Sequence, residues 1–155
     1  KEEGFTQVRS NPKDWFWQET QNESFFKKIY RTADCFVRLG SCSSFDISEI
    51  YQETENHPIE IPASRLLRPY YTKSKLVNTW RLQRVISEMT NAAKEKKIYH
   101  LWWHPHNFAN NPKASLDELE ILIHHFHSLR DIYGMQSLSM QGLPNVLNPP
   151  KLSNY

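Results

Sequence analysis

Between residues 74 and 140, two helix-length amphipathic segments alternate with two short apolar runs. In the first long segment, 74–96, Leu76, Val77, Trp80, Val85, Ile86 and Met89 mark the side predicted to be buried. In the second, Leu119, Leu122, Ile123, Phe126, Leu129 and Tyr133 recur at helical spacing. Ser115 and Glu118 have capping-box spacing at its start, and Gly134 supplies the stop. The runs 98–103 and 135–140 are too short for helices and read as strands. Helix, strand, helix, strand is a crossover unit of a parallel sheet. Residues 98–140 are therefore predicted to form strand, loop, helix (115–133) and a second, parallel strand. This order sets the class as α/β. So few strands neither close such a sheet nor cover both its faces, so strands are expected upstream of Lys1.

The earlier part is less regular. A strand around residues 5–8 leads into a turn, Arg9-Ser10-Asn11-Pro12, and then Asp14-Trp15-Phe16-Trp17. From Ser24, Phe25, Phe26, Ile29, Tyr30, Ala33 and Val37 recur at helical spacing, with Gly40 as the stop. A polar stretch with one helical turn near residues 47–51 follows, and then the extended piece Ile59-Glu60-Ile61-Pro62. There is no internal repeat. A chain of 155 residues suits one domain, read as residues 1–142, with residues 143–155 as an exposed tail containing Pro149-Pro150.

The net charge is only +2, and basic residues are not gathered on one helix, so nucleic-acid binding has no support. No apolar run approaches the roughly 18 residues a membrane span needs. The start, Lys1-Glu2-Glu3-Gly4, has no apolar segment typical of a signal peptide, and the compartment stays open. Cys35 and Cys42 are read as free thiols rather than a local disulfide, and they lack the paired spacing of a zinc site. Four glycines leave little room for a phosphate-binding or dinucleotide loop. Five Trp, seven Tyr and eight Phe suit either a plain core or a cleft for a sugar or flat ligand.

The run Tyr99-His100-Leu101-Trp102-Trp103-His104-Pro105-His106-Asn107-Phe108 carries the chemistry. Proline ends the strand, which sets His104 at the carboxyl edge, where α/β proteins place their sites. A histidine there can act as general acid or base, or as a metal ligand. His104 and His106, two apart, would share one side of an extended chain as a metal half-site, although Pro105 bends it. Strand-end packing is the plainer reading. His124, His125 and His127 sit mid-helix and read as a solvated or half-buried face. Arg65 and Arg68, around Pro69-Tyr70-Tyr71, either clamp a carboxylate or phosphate or tie the loop to the backbone. Asp14 beside Trp15 pairs a carboxylate with a large aromatic, suited to tuning a histidine or stacking on a sugar.

Residues 100–108, with the capped helix and last apolar run after them, resemble the end of a polysaccharide deacetylase (NodB homology) domain. More narrowly they are similar to bacterial members encoded with surface-polysaccharide genes. Ile61-Pro62-Ala63-Ser64-Arg65-Leu66-Leu67-Arg68-Pro69-Tyr70 and Val8-Arg9-Ser10-Asn11-Pro12, running into Asp14-Trp15, match the same subgroup. The resemblance implies the C-terminal portion of a deformed (β/α) barrel and hydrolysis of an N-acetyl group from a sugar or polysaccharide. In the family a divalent, zinc-like metal is held by an Asp and two His, with a second Asp as general base, all in the first half of the domain. No metal ligand is assigned to this chain, which is expected to supply the second half and to bind no metal alone. By the same resemblance His104 is the general acid, Leu101 lines the acetyl pocket, Asp14 tunes the histidine and Trp15 walls the pocket. Trp103, His106, Asn107 and Arg68 are the further substrate-binding candidates. Two other readings stay open: a non-catalytic carbohydrate-binding or structural remnant, and a small metalloprotein built on His104 and His106.

Overall fold

A computed structural model describes residues 6–12, 14–17, 24–34, 44–50 and 58–143. The expectations for Phe5, Val37, Gly40, Cys35, Cys42 and the tail after Leu143 lie outside these residues. The architecture is mixed α/β. Strand β1 (Gln7–Ser10) is followed by helix α1 (Phe25–Ala33), strands β2 (Ile59–Pro62) and β3 (Arg65–Leu66), helix α2 (Lys75–Glu95), strand β4 (Leu101–Trp102) and helix α3 (Pro112–Tyr133). Short 3₁₀ turns lie at Ile47–Glu49, Pro105–Phe108 and Met140–Gly142.

β2 and β3 are two halves of one extended stretch that pairs on both sides. β1 runs parallel to β2, from Gln7 opposite Ile59 to Ser10 opposite Pro62. β4 runs parallel to β3, with Arg65 opposite Leu101 and Leu66 opposite Trp102. Ala63 N–H donates to the Ser10 carbonyl (2.9 Å), and Leu67 N–H to that of Trp102 (2.8 Å), which extends both ladders. The carboxyl ends of β1, β3 and β4 thus leave the sheet in one direction. Parallel neighbours need a crossover, and α2 supplies the one between β3 and β4.

The crossover unit is therefore β3–α2–β4, one step earlier than the pattern predicts. The expected final strand is absent: residues 135–139 are irregular and end in the 3₁₀ turn Met140–Gly142. Its alternating side chains find no ladder, because β4 is two residues long and Pro105 turns the chain away. Strand 98–103 contracts likewise, and Ile98 forms an isolated antiparallel bridge with Phe45.

α3 starts before its anticipated cap. Asn111 caps it by accepting from Ala114 N–H, with Pro112 in the first turn, where its missing donor costs nothing. Ser115 and Glu118 are buried inside the helix instead of capping it. Ser74 caps α2 as its position suggests, and Gly134 ends α3 at φ 72°.

α2 and α3 close over β3 and β4. Leu67, Leu82, Val85, Met89, Ala93, Leu122 and Leu129 form the main core, with Tyr99, Leu101 and Phe126 packed against it. A smaller cluster joins Phe45, Ile50, Ile61 and Leu143, so the first residue of the expected tail is buried. Leu76 and Trp80 lie outside both, 66% and 59% exposed, which corrects the predicted buried side at the start of α2. The face is polar there for a reason: Arg81 reaches Glu118 on α3 and donates to the Arg68 carbonyl (2.5 Å). α1 also turns its charged side inward. Asp34 at its end is buried and Arg31 Nε donates to the Phe16 carbonyl (2.6 Å), while Phe25 and Phe26 are 73% and 68% exposed.

Candidate functional site at the carboxyl edge of the sheet

Every strand that leaves the sheet delivers something to this edge. After β4 come Trp103 and His104, and Pro105 opens the 3₁₀ turn that holds His106 and Asn107. Asn107 fastens the turn: its Oδ1 accepts from His104 N–H (2.8 Å), and its own N–H donates to the His104 carbonyl (2.9 Å). His104 is exposed. Its ring meets Trp102 edge-on at 5.0 Å, and the His106 ring stacks on it at 5.0 Å with 13° between planes. Trp103 lies over Phe108 at 6.1 Å and remains 41% exposed.

β1 delivers Arg9, whose guanidinium sits 3.7 Å from the centre of the Trp102 ring, across the intervening strand. It is followed by the turn in which Trp17 N–H donates to the Asp14 carbonyl (2.8 Å). Trp15 packs on Phe16 and Tyr30, 5.7 and 5.3 Å between centroids. Asp14 and Trp15 thus lie in the turn after β1, where Trp15 packs on α1, while His104, His106, Asn107 and Trp103 follow β4. Leu101 points into the main core. Arg68, just beyond β3, lines a small notch with Asn11, Trp17 and Trp102.

Trp102 is the residue that sequence reasoning missed. It touches Arg9, His104 and the notch together. Its spacing of two from His104 was available as a signal, because both fall on one strand face. The contact with Arg9 depends on strand pairing between distant segments.

The structure opposes a metal half-site at His104 and His106 as they stand. Ring lone pairs lie in the ring planes, and two stacked planes aim them side by side rather than at one point about 2 Å from each. His100 and His104 are the only histidines four apart, but along an extended strand that spacing spans about 13 Å. Among the described residues, no three His, Cys, Asp or Glu side chains are grouped to hold a metal ion. The helix histidines disperse: His124 is exposed beside Glu120, His127 is exposed, and His125 Nε2 lies 2.9 Å from Thr90 Oγ1.

His100 stands behind this edge. Its N–H donates to Ser64 Oγ (2.9 Å), and its Nδ1 lies 3.1 Å from the Pro62 carbonyl. Burial lowers its pKa from the ordinary 6.5, and Arg9 acts in the same direction, against the pull of the Pro62 carbonyl. A lowered histidine binds fewer protons folded than unfolded, so its stabilising effect is full above about pH 6.5 and is lost as pH falls. The urea midpoint should therefore drop between pH 7.5 and 5.5, and His100→Asn, which keeps a donor toward Pro62, should reduce that drop. An equal drop in the variant would remove His100 as its source.

Arg65 combines its two foreseen roles inside the fold, clamping the chain's own carboxylates and donating from Nη1 to the Asp34 backbone carbonyl (3.0 Å). Its Nε and Nη2 donate to the Glu88 carboxylate (2.6 and 2.8 Å), and its Nη1 lies 3.3 Å from Asp34 Oδ2. Arg84 Nε (2.5 Å) and the Tyr99 hydroxyl (2.9 Å) also donate to Glu88. This buried network pins β3, α2 and the end of α1 beneath the site. A separate apolar cavity of about 360 Å³ lies on the other side, before β4, between Ile61, Ala92, Ile98, Tyr133, Met135 and Leu143. No described helix is long and apolar enough to cross a membrane. No protein-family model, curated protein or solved structure matches the chain.

Proposed function

We propose that this chain is the C-terminal part of a deformed (β/α) barrel that removes N-acetyl groups from a sugar or polysaccharide, and that it contributes the general acid. The observation that carries this reading is His104: an exposed imidazole at the carboxyl end of a parallel strand, held edge-on to Trp102 by the Asn107-fastened turn. Cleaving an amide C–N bond expels an amine that must gain a proton as the bond breaks. A histidine supplies it near neutral pH, and afterwards regains a proton from solvent. Trp103 and Trp15 offer exposed aromatic surface for the sugar, and His106 backs the His104 ring.

The metal ligands and the general base are assigned to an upstream half of the domain, as the family resemblance implies. The second reading, a carbohydrate-binding module without catalysis, draws on the same exposed tryptophans. One comparison separates the two. The chain alone should hold no stoichiometric zinc after dialysis and release no acetate from an N-acetylated oligosaccharide, whereas the chain extended upstream should hold zinc and release acetate. Turnover with bound zinc by the chain alone would overturn this division of labour. An extended chain that binds the oligosaccharide without releasing acetate would favour the binding module.

A further inference from the structure

We propose that the notch beside Trp102 binds an anionic oxygen group, a carboxylate or phosphate, carried by the sugar. The inference rests on the deacetylase reading only for the ligand being a sugar. The notch lies where β1 and β3 leave the sheet, between Asn11, Pro12, Trp17, Ser64, Arg65, Leu66, Arg68 and Trp102, with a volume of about 20 Å³. That is room for about one water-sized atom, so a single oxygen of the group enters while the rest stays outside. Among the described residues no carboxylate lines it, and two further cations stand by its tryptophans: Arg9 lies 3.7 Å over Trp102 and Arg31 5.6 Å over Trp17.

The two arginines in its wall differ. Arg65 is matched by Glu88 and Asp34. Arg68 has no carboxylate partner among the described residues. Its Nη2 makes one long contact with the Arg31 carbonyl (3.5 Å), and its Nε is buried with no hydrogen-bond partner. A buried guanidinium N–H calls for an acceptor, and its planar fork matches carboxylate and phosphate oxygens. Trp102 lines the notch and also meets the His104 ring, 5.0 Å between centroids. An anionic group seated on Arg68 would therefore anchor a sugar alongside the acid. The substrate class that follows is an acidic N-acetylated glycan.

The test is titration of this chain with sodium glucuronate, inorganic phosphate and neutral glucose at matched ionic strength. The arginine Nε–H and tryptophan indole N–H signals are followed by NMR. Glucuronate or phosphate should shift the Arg68, Trp17 and Trp102 signals saturably, and glucose should not. The tighter of the two anions identifies the source of the charge. Arg68→Gln should weaken binding about 10–100-fold, with Arg68→Lys between it and the wild type. A water-filled notch predicts no saturable shift with either anion, and that result overturns the proposal. So does an Arg68→Gln variant that binds like the wild type. Should that variant fail to fold, the Arg68 Nε–H response in the wild type decides. No turnover is measured, so a failed titration leaves the deacetylase reading standing, and an inactive extended enzyme leaves the subsite standing.

Discussion

His104→Ala, made in the chain extended by its upstream half, should lower kcat by about 10²–10⁴-fold while metal content stays unchanged. The expected size follows from the leaving group: an amine expelled without a proton is so poor that general-acid help dominates the step. His104 is exposed at the strand end, yet it is held by the Asn107 turn and by Trp102. The substitution therefore removes a proton donor and little packing. His106→Ala should cost less, since the second ring only stacks on the first. Trp102→Leu should act through His104, shifting the alkaline limb of the pH–rate profile as well as lowering kcat, because the indole contact fixes the ring's position. Loss of metal in His104→Ala would make the residue a ligand. An unchanged kcat would return it to strand-end packing.

The second large effect concerns stability. Glu88→Ala should destabilise the fold by about 3–5 kcal/mol, because it strands buried cations rather than merely deleting a contact. The carboxylate receives donors from Arg65, Arg84 and Tyr99, and Asp34 is the other buried carboxylate that faces them. Burial works to lower the Arg65 pKa, but the Glu88 hydrogen bond and charge more than offset it, so the guanidinium stays charged. Urea unfolding with an unchanged m-value would report the loss, and Glu88→Gln should lie between the variant and wild type. A cost under about 1 kcal/mol would mean that water reaches the network. The same cluster predicts alkaline sensitivity. Burial first, and then the Glu88 charge, raise the Tyr99 pKa well above its ordinary 10. The unfolded chain releases that proton near pH 10 while the folded chain keeps it, so stability should fall as pH rises past that value. Tyr99→Phe should flatten this fall.

Local chemistry was legible wherever it acts within a few residues. Ser74 caps α2 and Gly134 ends α3 because a hydroxyl acceptor and a residue tolerant of positive φ act on their own neighbours. Pro105 opens the turn after β4, in which Asn107 takes the His104 N–H that the ladder would otherwise use, and the end of the strand brings His104 to the edge. At the other end of α3, two local signals competed. Ser115 with Glu118 offered a capping box, but Asn111 with Pro112 came first along the chain, and Glu118 is committed to Arg81.

The sequence by itself determined the α/β class, the two long helices, the exit of His104 from a strand end and the absence of a CxxC zinc pattern. These depend on periodicity and on the conformational preferences of single residues. Only the tertiary structure decided which strands pair, and so that residues 59–66 serve β1 and β4 from opposite sides while residues 135–140 pair with nothing. Only it turned Arg65 inward to Glu88 and left Arg68 at a notch, though the two arginines stand three residues apart in one short stretch. The physical reason is range. A cap or a strand stop is settled within one turn of chain, whereas an arginine's role depends on which carboxylate the fold brings within about 3 Å. For Arg65 that carboxylate is 23 residues away.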